Sequence, residues 1–159
     1  KNERAHLWLQ EQFKSRKVEK VYLALVDGAP PTAKGRVEAP IGRSTSHRKQ
    51  MAVTPEGKGR EAISEYRTLE SFPNHTLLEV HQLTGRTHQI RLHMAFLGTP
   101  VVGDRMYGHR KPSLALDRHF LHAYRLKIIL PGETAPHHFE APLPADLEIT
   151  LEQLRTLSR

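Results

Sequence analysis

The residues with the clearest capacity for chemistry in this sequence lie in one short run, residues 84–91, which reads TGRTHQIR. Arginine side chains hold carboxylates and phosphates through two parallel N–H donors, so the two arginines of this run can bind an anion. An apolar stretch, residues 76–83, precedes the run and predicts a strand, whereas Ile90, Met94 and Leu97 follow at helical spacing. The pattern predicts a strand-to-helix junction suited to holding an anion.

Turn and cap residues give this junction its predicted boundaries. Gly85 is placed in the turn because glycine best tolerates unusual backbone angles, and Thr87 is placed as the helix cap. Gly98 followed by Pro100 predicts the end of the helix. By spacing alone, a solvated basic face at a helix start explains the charges as well as an anion site does.

The elements on either side of this junction must position it. Residues 1–16 show the spacing of an amphipathic helix docked on a sheet, and residues 18–26 are apolar on both faces, which predicts a central strand. Residues 61–72 predict a strand that pairs with residues 76–83 as a hairpin. Leucines at helical spacing between residues 147 and 154 predict a C-terminal helix.

The composition favours a polyanionic partner. The 159 residues contain 24 Lys+Arg and 17 Asp+Glu, a formal charge of +7, with a sequence pI near 9.9. Such a balance is typical of nucleic-acid-binding proteins, although a basic protein without that role has the same charge. The chain has no cysteine, which excludes disulfides and a cysteine nucleophile and agrees with a cytoplasmic setting. No apolar run reaches the length of a membrane span.

Metal and nucleotide sites find no support in the spacing of the residues. His88 and His93 are five positions apart, so a helix does not place both on one face, and His137 and His138 are neighbours that a strand points in opposite directions. The sequence contains neither a phosphate-binding GxxxxGK[ST] loop nor a GxGxxG motif. We therefore expect no metal and no organic cofactor.

Longer strings carry a family resemblance. TGRTHQIRLHMAFLGTPVVGDRMYG closely resembles the TGRTHQIRVH…GHPxxGDxxYG signature of the RluA-type RNA pseudouridine synthases. The segments RKVEKVYLALVDG, APIGR…RKQMAVTPEGK, GREAISEY, RHFLHA and FEAPLPAD resemble further segments of this family, in its RluD-like branch and in its order. Ser64 stands where the family usually has threonine. The resemblance extends over residues 17–146.

The resemblance implies a fold and a function. It implies an α+β fold, with a mixed, mainly antiparallel sheet and flanking helices, in which residues 1–159 form the C-terminal portion of a single catalytic domain. The implied reaction is the isomerisation of uridine to pseudouridine in ribosomal or transfer RNA, without metal or cofactor. RNA is thus the implied partner.

The resemblance also assigns site residues. Arg91 matches the arginine that keeps the nucleophilic aspartate ionised and aimed, and Tyr22 matches the tyrosine whose ring lies near the target base. Residues matched to the wall of the substrate pocket or to phosphate contacts are Leu121, Arg86, His88 and Gln89. Asp104, in the GDxxYG motif, is assigned to fixing a turn and not to catalysis.

A cluster of cations in residues 43–49 predicts RNA contact. Arg43, Arg48 and Lys49 lie at a predicted hairpin tip, where they can meet phosphates, although a charged hairpin tip without a function has the same composition.

The nucleophilic aspartate of the family lies in an HRLDxxTSG segment ahead of the Tyr22 strand, and this sequence does not contain that segment. We therefore expect the chain to be inactive alone, Arg91 to lack its partner, and an exposed sheet edge to promote self-association. The alternative from another class is a non-catalytic RNA-binding module. A basic structural domain unrelated to RNA is a third alternative.

Overall fold

The computed structural model describes residues 2–47 and 50–158, and its element order is that of an α+β fold. In chain order the elements are α1 (Glu3–Lys14), β1 (Glu19–Asp27), β2 (Lys34–Glu38), β3 (Ile41–Arg43), β4 (Met51–Val53), β5 (Ile63–Ser71), β6 (His75–Gln82), α2 (Gln89–Phe96), β7 (Leu121–Ile129), β8 (Pro136–Glu140) and α3 (Ala145–Leu157).

Six of the strands form one sheet in the order β2-β5-β6-β1-β7-β8, and β3 pairs with β4 in a separate hairpin. Every strand pair in residues 2–47 and 50–158 is antiparallel, so the predicted sheet is confirmed without a parallel pair. The strand β1 lies between β6 and β7, as its two apolar faces predicted.

The alternation of side chains along β1 divides the core into two parts. Ala24 and Val26 face α2, whose Ile90 and Met94 are buried against them. Leu25 faces the opposite side of the sheet and packs against the leucines of α3. Each face of the sheet is thus covered by one helix, and α2 lies on the face that also carries the Tyr22 side chain.

The two terminal helices differ in how well they dock. In α3, the leucines at helical spacing are buried, as predicted. In α1, however, Trp8 is 37% exposed and Phe13 is 50% exposed, so the predicted docking of the whole apolar stripe is wrong. The indole Nε1 of Trp8 donates to the carbonyl of Ile129, 3.1 Å away, which ties α1 to β7.

None of the helices described in residues 2–47 and 50–158 is both long and apolar enough to cross a membrane.

Both edges of the sheet carry features that discourage pairing with another strand. On β2, Arg36 forms ion pairs with Glu38 and Glu65, and all three side chains are about half-exposed. The other edge strand, β8, begins with Pro136, which has no backbone N–H to donate. Charged side chains and proline are the usual protection of edge strands against pairing with another chain. Self-association through these edges stays a prediction.

Candidate active site

The junction between β6 and α2 is closed by a different residue from the one predicted. The helix begins at Gln89, and His88 precedes it with φ 56°, in the left-handed region that residues other than glycine rarely adopt. The prediction of Thr87 as the cap and of the unusual backbone angles at Gly85 is therefore wrong. Gln89 instead accepts the backbone N–H of Arg86, so a side chain inside the helix satisfies a donor outside it.

The side chain of Gln89 is buried and fully hydrogen-bonded. Its Nε2 donates to the carbonyl of Ile63 and to the hydroxyl of Ser64, both at 2.9 Å. Its Oε1 accepts from the hydroxyl of Thr84 at 2.7 Å and from the N–H of Arg86 at 3.1 Å. Gln89 is therefore a core residue that fixes the turn, and its predicted place in the wall of the substrate pocket is wrong.

His93 extends this network through the core. Its Nε2 lies 3.0 Å from the carbonyl of Ala39, which can only accept, so Nε2 carries the hydrogen. Its Nδ1, 2.9 Å from Ser64 Oγ, then accepts the serine hydroxyl. Burial lowers the pKa of His93 and outweighs the opposing bond to Ala39, so the ring is held neutral at neutral pH.

Acidification is expected to destabilise the fold through His93. Because burial lowers the pKa of His93 in the folded state, the unfolded chain binds the proton first as pH falls. The contribution of neutral His93 to the free energy of unfolding is therefore fully present above its unfolded pKa of 6.5. This contribution is lost as pH falls below 6.5 toward the folded pKa. His93→Gln can keep both hydrogen bonds without titrating, so the free energy of unfolding, measured in urea, should depend less on pH in this window. His6→Gln on the exposed face of α1 is the control, and an equal effect there would refute the assignment.

Arg91 has a buried partner, so the prediction that it lacks one in this chain is wrong. Its Nε donates to Asp104 Oδ2 at 2.7 Å and its Nη2 to Asp104 Oδ1 at 2.8 Å, a two-point pair. The side chains are 12% and 1% exposed, respectively. Burial raises the pKa of Asp104, but the bonds from Arg91 and two backbone N–H groups outweigh it, and the net pKa is lowered. The same bond raises the pKa of Arg91.

Asp104 also holds the turn that it was predicted to hold. Its Oδ1 accepts the N–H groups of Met106 and Tyr107 at 2.9 and 3.0 Å. A Cβ on Gly103, whose φ is +75°, would overlap the carbonyl of Arg118, and one on Gly108 would overlap the carbonyl of Asp104. These contacts explain why both glycines of the GDxxYG motif flank this aspartate.

Tyr107 supports Arg91 and was not identified from the sequence. The Arg91 guanidinium lies 4.9 Å from the centre of the Tyr107 ring. The Tyr107 hydroxyl accepts the N–H of Met51 at 3.2 Å, and its own hydrogen can bond to Nδ1 of His88 at 3.0 Å. Burial lowers the pKa of His88, and the nearby Arg91 lowers it further, which favours a neutral imidazole. The spacing of the motif offered no signal for this contact.

One nitrogen of Arg91 remains available. Among the described residues, Nη1 has no hydrogen-bond partner, and it is not sealed from solvent. Asp104 thus fixes the guanidinium while leaving an N–H group for a second anion.

Tyr22 and Leu121 lie on the face of the sheet that α2 covers in part. Tyr22 pairs with Ala123 and Ala24 pairs with Leu121, so the two larger side chains are diagonal neighbours on one face. Both are half-buried against the cluster that contains Ile90. Burial raises the pKa of Tyr22, so its phenol stays protonated at neutral pH. A depression of about 220 Å³ opens beside Tyr22, next to the small side chain of Ala123.

Two cations border this face on the side of the turn. The Nζ of Lys20 lies 3.4 Å from the carbonyl of Thr84, and the Nε of Arg86 donates to the carbonyl of Glu61 at 2.8 Å. Burial and the charge of Arg86 lower the pKa of Lys20. Burial also lowers the pKa of Arg86, as do two neighbouring arginines. An anion would relieve this repulsion. Lys20 was not identified from the sequence, although its position two residues before Tyr22 places both side chains on one face of β1.

His119 lies close enough to Arg91 to feel its charge and was not identified from the sequence. Its carbonyl accepts the N–H of Leu121 at 2.9 Å. Burial lowers the pKa of its ring, and the charge of Arg91 lowers it further. Among the described residues no hydrogen bond joins Arg91 to Tyr22, and the two sides of the site meet through Leu121 and the apolar cluster below it.

The predicted RNA-binding hairpin is only partly described. Arg43 ends β3, pairs with Met51 and is exposed. Arg48 and Lys49 lie outside the described residues. Within residues 2–47 and 50–158, no three or more histidines and carboxylates are grouped as they would be around a metal ion.

Comparisons with known proteins bear on this arrangement. Residues 1–96 match the profile of a family described as RNA pseudouridylate synthase. The chain is 49% identical over 147 residues to an uncharacterised RNA pseudouridine synthase of Chloroflexus aurantiacus, covering 92% of the chain and 46% of that relative. It is 36% identical over 166 residues to ribosomal large subunit pseudouridine synthase D of Zymomonas mobilis, covering 100% and 52%. The chain thus spans about half the length of these curated relatives.

Solved structures show the same fold. Human RNA Pseudouridylate Synthase Domain Containing 1 superposes with a TM-score of 0.75 at 27% identity, over 97% of this chain and 72% of that one. Human RNA Pseudouridylate Synthase Domain Containing 4 superposes with a TM-score of 0.79 at 24% identity, over 97% and 69%.

Proposed function

Because the chain belongs to the RNA pseudouridine synthase family, we propose that it forms part of the active site of an enzyme that isomerises uridine in RNA. In this reaction the N1–C1′ bond of uridine breaks, a C5–C1′ bond forms, and a proton leaves C5 while N1 gains one. The atoms balance without an oxidant or a reductant, so the reaction itself calls for no cofactor. Ribosomal or transfer RNA in the cytoplasm is the proposed substrate.

The observation that carries the proposal is the fixed guanidinium of Arg91 on α2, the helix that packs on the sheet face carrying Tyr22 and Leu121. A nucleophilic carboxylate that is buried with its substrate would be neutralised unless a cation held it ionised. Asp104 already fixes the orientation of Arg91, and the available Nη1 can donate to a second carboxylate. Arg91 is thus placed to keep a nucleophile charged.

Tyr22 and Leu121 are proposed to hold the uracil. The aromatic ring of Tyr22 offers a stacking surface of the kind that suits any base, and Leu121 closes one side of it. Since burial raises the pKa of Tyr22, its hydroxyl keeps the proton at neutral pH and can donate a hydrogen bond. Lys20 and Arg86 are proposed to meet the RNA phosphates, as is Arg43 on the hairpin.

The nucleophile itself is proposed to come from another segment of the whole protein. Asp104 is sealed against Arg91, and Asp27 accepts the hydroxyl of Ser113. Asp117 is exposed in a loop and Asp146 lies in the first turn of α3. With its four aspartates in these places, the 159-residue chain is proposed to be inactive alone.

Pseudouridine formation tests this function. The 159-residue chain and the whole protein are each incubated with uridine-containing RNA transcripts, and pseudouridine is detected by mass spectrometry of the nucleosides. The whole protein should form pseudouridine and the chain alone should not. If the whole protein binds RNA without forming pseudouridine, the non-catalytic RNA-binding module is the better description. Turnover by the purified chain alone would refute the external nucleophile.

A further inference from the structure

The loop after α2 carries a group of cations that the site described above does not use. Residues 105–111 contain Arg105, His109, Arg110 and Lys111, all of them exposed. No carboxylate in the described part of the chain forms an ion pair with Arg105, Arg110 or Lys111, and His109 lies 4.0 Å from Asp27. The loop therefore presents three fixed positive charges to solvent.

Several arginines elsewhere on the surface are neutralised by carboxylates. Arg67 and Arg125 both bond to Glu79 and lower the pKa of that carboxyl to about 2. Arg155 likewise pairs with Glu70 on β5. Unlike these arginines, Arg105, Arg110 and Lys111 have no carboxylate partner in the part of the chain that the structure describes.

The loop is held in place at both ends. At its start, the carboxylate of Asp104 accepts two backbone N–H groups, and the carbonyl of Asp104 accepts the N–H of Gly108 at 3.0 Å. Beyond its end, Ser113 donates to Asp27, and Nε2 of His75 lies 3.1 Å from the same serine oxygen. Leu114 then packs into the core under α3. A ligand would therefore meet cations whose backbone is already ordered.

The Ser113 cluster has the composition of a hydrolytic triad but not its hydrogen-bond order. The serine hydroxyl donates to Asp27 rather than to His75, so the histidine can only donate to the serine oxygen. A nucleophilic serine must instead give its proton to the histidine. The cluster is thus an anchor for the loop.

The anchored loop is continuous with the site. Asp104 at its start is the partner of Arg91, and Tyr107 within it bonds both to His88 and to the backbone of Met51 on β4. Its cations therefore lie on the loop that begins at the partner of Arg91. Beside them lies a depression of about 490 Å³ whose lining includes Arg105, His109 and Arg110.

We propose that residues 105–111 form a second phosphate-binding arm, which holds the RNA backbone next to Arg91 in addition to Lys20 and Arg86. The inference rests on the proposed function, since it takes RNA as the partner. The charge and the continuity with the site favour a polyanion that crosses both surfaces. The unpaired Arg110 and Lys111 contact phosphates of the same strand that enters the site.

The salt dependence of binding tests this arm. Oligouridine binding to the 159-residue chain is measured by fluorescence anisotropy between about 50 and 200 mM salt. Arg110→Ala/Lys111→Ala should reduce the magnitude of the slope of log K against log[salt] by about one to two units, since each phosphate contact to a single strand contributes about 0.7.

A control variant separates the arm from net charge. Arg4→Ala/Lys34→Ala removes two exposed cations from α1 and β2, so both variants change the formal charge from +7 by two, to +5. The control slope should change by less than about half a unit. Equal slopes in the two variants overturn the arm while leaving the RNA-binding function standing. Absence of any oligouridine binding by the unmodified chain overturns both.

Chemical footprinting provides a measurement that needs no substitution. Lys111 and Lys34 are both exposed, so both should react with an acetylating reagent in the free chain. Bound oligouridine should protect Lys111 several-fold and leave Lys34 unchanged, as read by mass spectrometry of the digested chain. Equal protection of the two lysines would contradict a local contact, even if a loop variant proved unstable.

Discussion

Arg91→Ala is expected to lower the free energy of unfolding of the 159-residue chain by about 3–5 kcal/mol, the usual cost of breaking a buried ion pair from one side. The reason is the partner that remains: Asp104 is 1% exposed and would keep a charge without its guanidinium. Typical domains have about 5–15 kcal/mol of stability, so much of the fold's margin would disappear. Urea unfolding followed by circular dichroism measures the change.

Two further variants separate this pair from general surface effects. Arg36→Ala removes an arginine of an exposed ion pair on β2, so its effect on the free energy of unfolding should be far smaller than that of Arg91→Ala. Arg91→Gln/Asp104→Asn leaves no buried charge and keeps an oxygen for the N–H groups of Met106 and Tyr107. It should be more stable than Arg91→Gln alone. Similar losses for Arg91→Ala and Arg36→Ala would show that the buried pair does not matter to stability.

The dependence of stability on pH should show two separate acid limbs. The first limb comes from His93, whose folded pKa is lowered: stability begins to fall at its unfolded pKa of 6.5 and continues to fall at lower pH. Asp104 also has a lowered folded pKa, but as a carboxyl its contribution is present above its unfolded value of 3.8 and is lost as pH falls below it. The two limbs report on different parts of the site. His93 is linked through Ser64 and Gln89 to the turn at Arg86, whereas Asp104 bonds directly to Arg91.

The secondary structure could be predicted because local patterns determine it. The central position of β1 followed from its apolar residues on both faces, and the predicted residues 18–26 differ from Glu19–Asp27 by one residue at each end. The buried face of α2 followed from Ile90 and Met94. These predictions depend on side-chain periodicity within one element, which the sequence contains in full.

Partners from distant positions could not be predicted in the same way. Asp104 lies 13 residues after Arg91, and the family resemblance directed attention to an aspartate elsewhere. The assignment of Asp104 to a turn was compatible with a second role, because a carboxylate accepts several hydrogen bonds. Gln89 was assigned to the pocket through the family resemblance, whereas its actual partners, Ile63 and Ser64, lie on β5.

The left-handed backbone of His88 illustrates a further limit. Glycine is the residue expected to adopt such angles, and Gly85 lies three positions before His88, the residue that has them. The structure places the unfavourable angle at His88, where the imidazole meets Tyr107, a contact across 19 residues. Tertiary contacts therefore decide which residue adopts the strained backbone angles. The strain at His88, near Arg91, could not be predicted from the local sequence.

In the whole protein, Tyr22→Phe is expected to lower the single-turnover rate of pseudouridine formation by about 10²–10⁴-fold, the usual contribution of a positioned proton donor or acceptor. The phenylalanine keeps the ring on the face that Leu121 borders, so stacking and RNA affinity should change little. Because burial raises the pKa of Tyr22, the hydroxyl remains protonated at neutral pH, and the loss should not diminish as pH rises from 7 to 8.

Tyr124→Phe is the matched control for this experiment, because it removes the same hydroxyl from a tyrosine on β7 whose bond to Glu140 lies at the surface. Its rate and its RNA affinity should equal those of the unmodified protein.

Tyr22→Leu extends the test, since it removes the ring as well and should weaken RNA binding by about 1–3 kcal/mol if a base stacks there. Normal turnover by Tyr22→Phe would exclude the hydroxyl from proton transfer. Unchanged RNA affinity in Tyr22→Leu would exclude the ring from base binding.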